Sequence, residues 1–490
     1  MVLLKKEINQ TSNLIAREIR AQIGSGVLKA GDKLLPEKDL VVFYSTTPHQ
    51  VRKALSVLKQ EGIIETIPKQ GVFVSQKLSL SSVTAEKPAP VEACTGFSIT
   101  DMIGHIKPNL KFAIVAWNML NKPLWDRLCA EFSARYPVTI EPVYVSLPQE
   151  YYRALLDCEI VMSSPSRIFS SASLMENIYW WPLSEARQVP ITEKHLRTVM
   201  GINGVGGIPV LGNLISGLLN SRKLSPSAIT RLHQTKGWGE VLEILSSLTA
   251  PRHSMPGINI NANRTLNLCH FLTLNAGSLL DSGRKSLNLR RPDILHALEL
   301  LEQYRGKAFP RGAENEDYLG NIDPEEYLLT MNFICNYPRI YKDKPHLIPW
   351  LHPLGAAGNH LEDINIVTIS NNCICIEEAK HFVRFLLSES VQRQFASIPA
   401  EYPVSSEIAE PFAGYPESWR KILSAIKENT TCLYDEMPGY CQVFGQVLYP
   451  LSRKFAEGEI SKEELVSLAE KKGNSLLQQY EKSVQLAVNA

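Results

Sequence analysis

The chain has 490 residues, 44% of them hydrophobic and 21% charged, with a net charge of +1. That length exceeds one ordinary domain, so two or three are expected. The near-neutral balance excludes a protein that coats nucleic acid through overall positive charge. The charge is unevenly placed, however: residues 1–77 carry 12 Lys and Arg against 7 Asp and Glu, which leaves the remainder mildly acidic. A basic end on an acidic body confines any nucleic-acid contact to that end.

Nine cysteines are scattered without paired spacing, and Cys373 and Cys375 form the one close pair. This usage fits reduced thiols rather than a disulfide framework. The opening segment, MVLLKKEINQ, has only a short apolar run before two lysines, with no signal-peptide core. No apolar run reaches the ~18 residues of a membrane span. A cytoplasmic protein with no membrane partner is expected.

In chain order, Ile15, Ile19 and Ile23 repeat at helical spacing over residues 11–25, and Gly24-Ser25-Gly26 stops that helix. Pro36 starts a second helix with Leu40, Val41 and Tyr44 inward. A third begins with Thr47 as N-cap, Pro48 in the first turn and Gln50 completing a capping box. Val51, Ala54, Leu55 and Leu58 form its apolar stripe, while His49, Gln50, Arg52, Lys53, Ser56 and Lys59 lie off it. Gly62 suits a left-handed helix end. Two β-rich runs, 63–67 and 72–74, flank a turn at Pro68, Lys69, Gln70 and Gly71. Three helices and a basic-tipped hairpin predict a winged helix-turn-helix, its third helix entering the major groove.

These residues resemble the N-terminal domain of the GntR family of bacterial transcription regulators. Gly26, Gly31, Asp32, Leu34, Glu37, Leu40, Thr47, Val51, Arg52, Ala54, Leu55, Glu61, Gly62, Gly71, Phe73 and Val74 stand in the family register without a gap. Departures are Leu35-Pro36 where the family has Pro-Ser, Lys38 and Pro48 in place of arginines, and Gln70 at a position often Gly or Arg. Lysine cannot make arginine's bidentate contact with guanine, so the family's usual operator does not carry over. The resemblance implies a DNA face of Lys38, Thr46, Thr47, His49, Gln50, Arg52, Lys53, Lys69 and Gly71. His49 and Gln50 are placed to read base edges, and Lys38, Arg52 and Lys69 to hold phosphates. It also implies a double-stranded DNA operator as partner and a homodimer.

Residues 1–77 thus form the DNA-binding domain. Residues 78–108, rich in Ser, Pro and Ala, read as a linker. The body, 109–490, alternates strand and helix signals: LKFAIVAWN, a helix opened by Pro123 with Trp125, Leu128, Cys129 and Phe132 inward, VTIEPVYV, and EIVMSS. This order resembles the sugar-type extracellular solute-binding proteins. The residues that carry the likeness are Trp117, Trp125, Leu128, Phe132 and Pro137, then Glu159-Ile160-Val161 and Gly207-Ile208-Pro209. A helix ending in Leu218 to Leu224 follows, then Trp238, Glu240 and Leu248, and finally Ala379, Phe382, Phe385, Leu386, Leu387, Ser388 and Gln392. The expected class is a multidomain α/β protein, with an N-terminal α+β winged helix-turn-helix and a C-terminal two-lobed α/β fold of the periplasmic-binding-protein type. The family's export signal and lipid-anchor cysteine are absent from the sequence, so the body is expected to sense rather than to transport.

No H-E-x-x-H, P-loop or G-x-S-x-G is present. Gly201, Gly204, Gly206 and Gly207 do not fit a dinucleotide fingerprint and read as a loop. The histidines show no metal-ligand spacing, and His360, Glu362 and Asp363 read as a solvated turn. No catalytic residue, metal or cofactor is therefore expected. Trp180 and Trp181 read as packing residues. The resemblance places a ligand between the lobes, a sugar or oligosaccharide by family, near Trp117, Asn118, Ser163, Ser166, Arg167 and Asn213. Tyr318, Tyr337 and Trp350 are candidate stacking faces. Two alternatives stand beside a ligand-controlled regulator. One is a regulator whose body is a ligand-free dimerisation or interaction module. The other is a fusion to a pyridoxal-phosphate enzyme-like body, which lacks its Schiff-base lysine turn here.

Overall fold

The computed structural model describes scattered positions between 15 and 40, residues 48–67, 71–75, 107–115, 121–145, 154, 157–169, 172–201, 204–248, 258–259, 271–273, 278–281, 283, 285–304, 325, 327–338, 342–354, 359–432 and 438–489. The chain divides into two compact units, residues 1–108 with 145–154, and residues 109–144 with 155–490.

In the first unit, α1 (Pro48–Gln60) buries Val51, Ala54 and Leu58. They join Ile15, Ala16, Ile19, Leu34, Leu40, Ile63 and Ile64 in one core, with Ile23, Leu55 and Val72 at its margin. The helix ends as its sequence dictates. Gly62 takes φ 71, its N–H reaches Lys59 O and the Ile63 N–H reaches Leu58 O, the paired bonds of a Schellman motif. β1 (Ile64–Ile67) and β2 (Gly71–Val74) then pair antiparallel from Ile64 opposite Val74 to Ile67 opposite Gly71. The second edge of β2 is closed by residues 31–34: Gly31 and Leu34 N–H donate to Val74 and Val72 O, and Val74 N–H to Asp32 O. Gly31 and Gly71 have φ 87 and 124, which explains why glycine stands at both ends of this ladder. Arg20 and Glu61 form a two-bond ion pair at 2.8 and 2.6 Å. Val41, Tyr44, Thr46, Thr47, Lys38 and the turn at 68–70 lie outside the described residues.

The second unit is built on one mixed sheet. Its strands are β3 (Asn109–Val115), β4 (Thr139–Val145), β5 (Ile160–Ser163), β8 (Ile208–Asn220), β9 (Ile258–Asn259), β10 (Leu329–Phe333), β11 (Leu347–Trp350), β12 (His360–Ile369), β13 (Tyr402–Pro403) and β14 (Thr430–Cys432). The order is β4-β3-β5-β12-β8-β10-β9, with β11 and β13 also on β8 and β14 on β12. A separate hairpin joins β6 (Met200–Gly201) to β7 (Gly204–Val205). The helices that matter here are α2 (Lys122–Arg135), α3 (Glu193–Val199), α4 (Pro226–Gln234), α5 (Trp238–Leu248), α6 (Pro292–Tyr304), α7 (Ile376–Leu386), α8 (Glu389–Ala396), α9 (Glu417–Glu428) and α10 (Lys462–Asn489). Trp125, Leu128, Cys129 and Phe132 of α2 are buried, and Phe132 packs edge-on against Phe382 of α7 at 5.1 Å. Gln392 of α8 is fully buried, donating to Val210 O and Leu386 O and accepting from Ser405 N–H.

Two sequence expectations are corrected. Residues 208–220, expected to lead into a helix, are a single strand, and all 13 are buried. A run that is apolar on every side can be a buried helix or a buried strand; here both edges are paired to other strands, which makes it a strand buried all along. Glycine also fits it for that role. A Cβ on Gly212 would lie 2.3 Å from the Tyr402 ring, and one on Gly217 2.7 Å from Trp350. Pro209, which has no N–H to give, sits where the register with β12 slips between Asn365 and Ile366.

The second correction concerns His360, Glu362 and Asp363, which lie in β12 and not in a solvated turn. Glu362 is completely buried. Its Oε1 accepts from His195 Nε2 at 3.2 Å and Cys432 Sγ at 3.4 Å and pairs with Lys194 Nζ, while Oε2 accepts from Tyr402 OH. Burial alone raises a carboxyl pKa, but the His195 and Lys194 partners overcome it and hold Glu362 well below its ordinary range. The charge is tolerated inside only because four donors from α3, β13 and β14 converge on it. The glycines at 201–206 serve packing: Cβ atoms at Gly201 and Gly206 would strike Trp180 and Phe169, and Trp181 is fully buried.

This packing can be tested at two positions. Gly212→Ala forces the Tyr402 ring off the strand, so thermal and denaturant unfolding are expected to show a loss of about 1–3 kcal/mol or more. Glu401 is 2% exposed, and burial pushes its carboxyl up to about 8 from 4.5. Its neutral form therefore stabilises the fold fully below about pH 4.5, and that contribution is lost as pH rises through about 8. Glu401→Gln stays neutral, so urea denaturation of the variant should show a smaller fall in stability across that window than the parent chain.

Candidate functional site

The first candidate surface is the outer face of α1. Burial of Val51, Ala54 and Leu58 turns His49, Arg52, Ser56 and Lys59 outward, with Gln50 and Lys53 half-buried beside them. The Arg52 Nε–H donates to Glu37 at 2.7 Å, yet its side chain stays 67% exposed. The ion pair aims the guanidinium and leaves its other N–H groups available to a phosphate. Gly71, with φ 124, lets the wing backbone approach a partner closely. Of the sequence-derived DNA face, His49, Gln50, Arg52, Lys53 and Gly71 are thus described, and they belong to one helix and the hairpin beside it. Lys38, Thr46, Thr47 and Lys69 are not described.

The second candidate lies at the end of β5. Ser163 is buried, and its Oγ has no hydrogen-bond partner among the described residues. The chain then turns through Pro165–Ile168, where Ser164 and Ser166 hydroxyls meet at 2.9 Å. β12 brings in a group that sequence reasoning missed. Burial raises Asp363 to about 7, against the pull of the Arg167 guanidinium. The short helix Pro438–Val443 packs on the same turn, and its Gln442 Nε2 is buried without a described partner. Serine hydroxyls, a guanidinium, a carboxyl near neutrality and an amide form a set that can both donate to and accept from a polyhydroxylated or acidic small molecule. The signal that would have found Asp363 was present: HLEDINIVTI is a β-branched run, and charges inside a buried strand need partners.

The other described ligand candidates offer no open group to this cluster. Asn213 stands opposite Asp363 in the register, but its Nδ2 donates to Cys335 Sγ and its Oδ1 accepts from Cys335 N–H, both at 3.2 Å. Its amide is engaged in fixing the turn after β10. Tyr337 packs edge-on against Trp419 at 4.7 Å and Tyr415 at 5.3 Å. Trp350 is fully buried on Gly217 beside Trp238 and His352. Both are core residues rather than open stacking faces, because each ring is already enclosed by other aromatics. Trp117, Asn118 and Tyr318 lie outside the described residues. Among the described residues no helix is long and apolar enough to cross a membrane.

Both units have known counterparts. Residues 11–74 match the family model "Bacterial regulatory proteins, gntR family". The HTH-type transcriptional repressor YtrA of Bacillus subtilis (strain 168) is 32% identical over 69 residues, 14% of this chain. The chain spans about half the length of that curated relative, 53%. The remainder is similar in fold to solved sugar-binding proteins. An ABC transporter solute-binding protein from Thermotoga lettingae TMO, bound with α-D-tagatose, aligns with a TM-score of 0.60 at 15% identity, over 76% of this chain and 100% of that one. The sugar-binding protein MalE from Xanthomonas citri aligns at 0.61 and 13% identity, over 77% and 99%. The chain therefore joins a GntR-type helix-turn-helix domain to a body with the periplasmic-binding-protein fold.

Substitutions on the DNA face separate its roles. Arg52→Ala is expected to weaken binding evenly across duplex sequences and to lower the salt slope by about 0.9 for each phosphate it no longer neutralises. Gln50→Ala is expected to relax preference at one base pair by about 1–3 kcal/mol and leave the salt slope intact. Anisotropy titrations on matched duplexes over a salt series distinguish the two.

Proposed function

We propose that this protein is a sequence-specific transcription regulator whose operator affinity is set by a small ligand, a sugar or oligosaccharide, bound by the larger unit. The observation that carries the reading is the union, in one chain, of a GntR-type domain with a body whose fold neighbours are sugar-binding proteins. In this reading a homodimer sets two α1 helices on the half-sites of a palindromic operator in the cytoplasm. The ligand engages the Ser163–Arg167 turn and Asp363. Binding favours one arrangement of the body, and the dimer's fit to DNA follows. A coupling of about 1–3 kcal/mol would change operator affinity roughly 5- to 150-fold. No catalytic step is part of this function.

One observation favours a second reading, in which the body is a ligand-free dimerisation module. Two of the aromatics expected to stack on a sugar, Tyr337 and Trp350, are enclosed in packed clusters.

Selection of the full-length protein on random-sequence duplexes identifies the operator, and anisotropy on that operator with a carbohydrate panel tests the sensor. Selective binding shifted by one sugar, and left unshifted in Arg167→Ala, is the expected result. Selective binding unmoved by any sugar or other small-molecule effector supports the second reading. Failure to enrich any sequence overturns both.

A further inference from the structure

We propose that His195 Nε2, Glu362 Oε1 and Cys432 Sγ form a binding site for one transition-metal cation of the zinc class, which competes for that place with the ammonium of Lys194. The three residues are far apart in sequence and come from α3, β12 and β14. All three are buried, and their ligand atoms lie within 4.8 Å of one another. Glu362 Oε1 is 3.2 Å from His195 Nε2 and 3.4 Å from Cys432 Sγ. Tetrahedral zinc with its usual bond lengths separates such donors by roughly 3.3–3.7 Å, close to the two distances from Glu362 Oε1.

The outer atoms of the ligands are also held. His195 Nδ1 faces Thr192 Oγ1 at 3.1 Å, and Glu362 Oε2 accepts from Tyr402 OH. This is the outer support that fixes tautomer and direction in metal sites. A mixed nitrogen, oxygen and sulfur set selects borderline cations over magnesium or calcium.

A bland alternative accounts for the same contacts: a buried carboxylate with four hydrogen-bond donors. The two readings differ in what Lys194 does. Its Nζ pairs with Glu362 Oε1 and donates to Thr430 Oγ1 at 2.7 Å, so a cation already stands beside the carboxylate. Its side chain is 30% exposed and so has a route to solvent, whereas Glu362 has none. Lys427 lies close enough to feel both Glu362 and Lys194, and it too opposes a second positive charge while Lys194 stays.

Binding is therefore an exchange. The ammonium leaves for solvent, the Cys432 S–H bond breaks, and its proton goes to water while the sulfur pair binds the cation. The Nε2–H bond that His195 directs at Glu362 also breaks; its proton passes by way of water to Nδ1 of the same ring, and the freed Nε2 lone pair binds the cation. One carboxylate and one thiolate then balance a divalent charge. The fourth position stays open to water.

The test is a cobalt(II) titration of the metal-free, reduced full-length protein, read by the thiolate-to-cobalt charge-transfer band. The expected result is one equivalent bound per chain. The band should be lost in Cys432→Ser and retained in Cys375→Ser, a cysteine on a loop away from these donors. Lys194→Met should bind about tenfold more tightly, because it removes the competing charge. His195→Gln should weaken binding by about 10- to 100-fold, with folding of each variant checked by circular dichroism. A band that survives Cys432→Ser overturns the proposal, as does its absence from both the parent chain and Lys194→Met. A band confined to Lys194→Met also overturns it, since the lysine then holds the place permanently.

Discussion

A strand that is buried along its whole length must find partners for its backbone N–H and C=O groups within the protein, above all in neighbouring strands, since no water is there to take them. Ile208–Asn220 is that strand, and the larger unit is arranged around the obligation. Its first half pairs with β12 and β13, and its second half with β10 and β11, all antiparallel. The same 13 residues therefore belong to both halves of the sheet. Tyr402 and Trp350 lie over the two glycines in it, so each half also has a large aromatic seated directly on the shared backbone.

The neighbouring strand β12 carries the polar counterpart of that constraint. It takes Glu362 and Asp363 into the interior, and the two carboxyls are settled in opposite ways. Glu362 stays ionised because α3, β13 and β14 bring donors to it. Asp363 has burial as its dominant influence and is raised to about 7. Adjacent residues in a strand point to opposite faces, so the two meet different surroundings although they are neighbours in sequence. One face has become a structural joint and the other borders the Ser163–Arg167 turn. Two buried carboxyls one residue apart are thus held in different protonation regimes by what each face of the strand meets.

Much of the smaller unit was legible from its residues. The stripe Val51, Ala54, Leu58 is buried as its spacing requires, Gly62 is left-handed, and the hairpin register from Ile64 to Val74 follows from the two short apolar runs. These features are local: capping, helical period and turn chemistry act over a few residues. The same holds for α2, β3, β4 and β5, where bounded apolar runs marked the elements to within a few positions. The Ser163, Ser166 and Arg167 positions were likewise named from the end of a recognisable strand.

What the sequence by itself determined, then, is the DNA-binding module, the alternation of strands and helices in the body, and the uneven placement of charge. Tertiary structure decided which helix-or-strand choice residues 208–220 make, because an apolar run with no polar face fits either until its neighbours are known. It decided that Tyr337 and Trp350 are packing residues, since exposure of a ring depends on what covers it. It also decided that His195, Glu362 and Cys432 meet. Their separation along the chain carries no local signal, and only the pairing of β14 with β12 and the docking of α3 bring their atoms together.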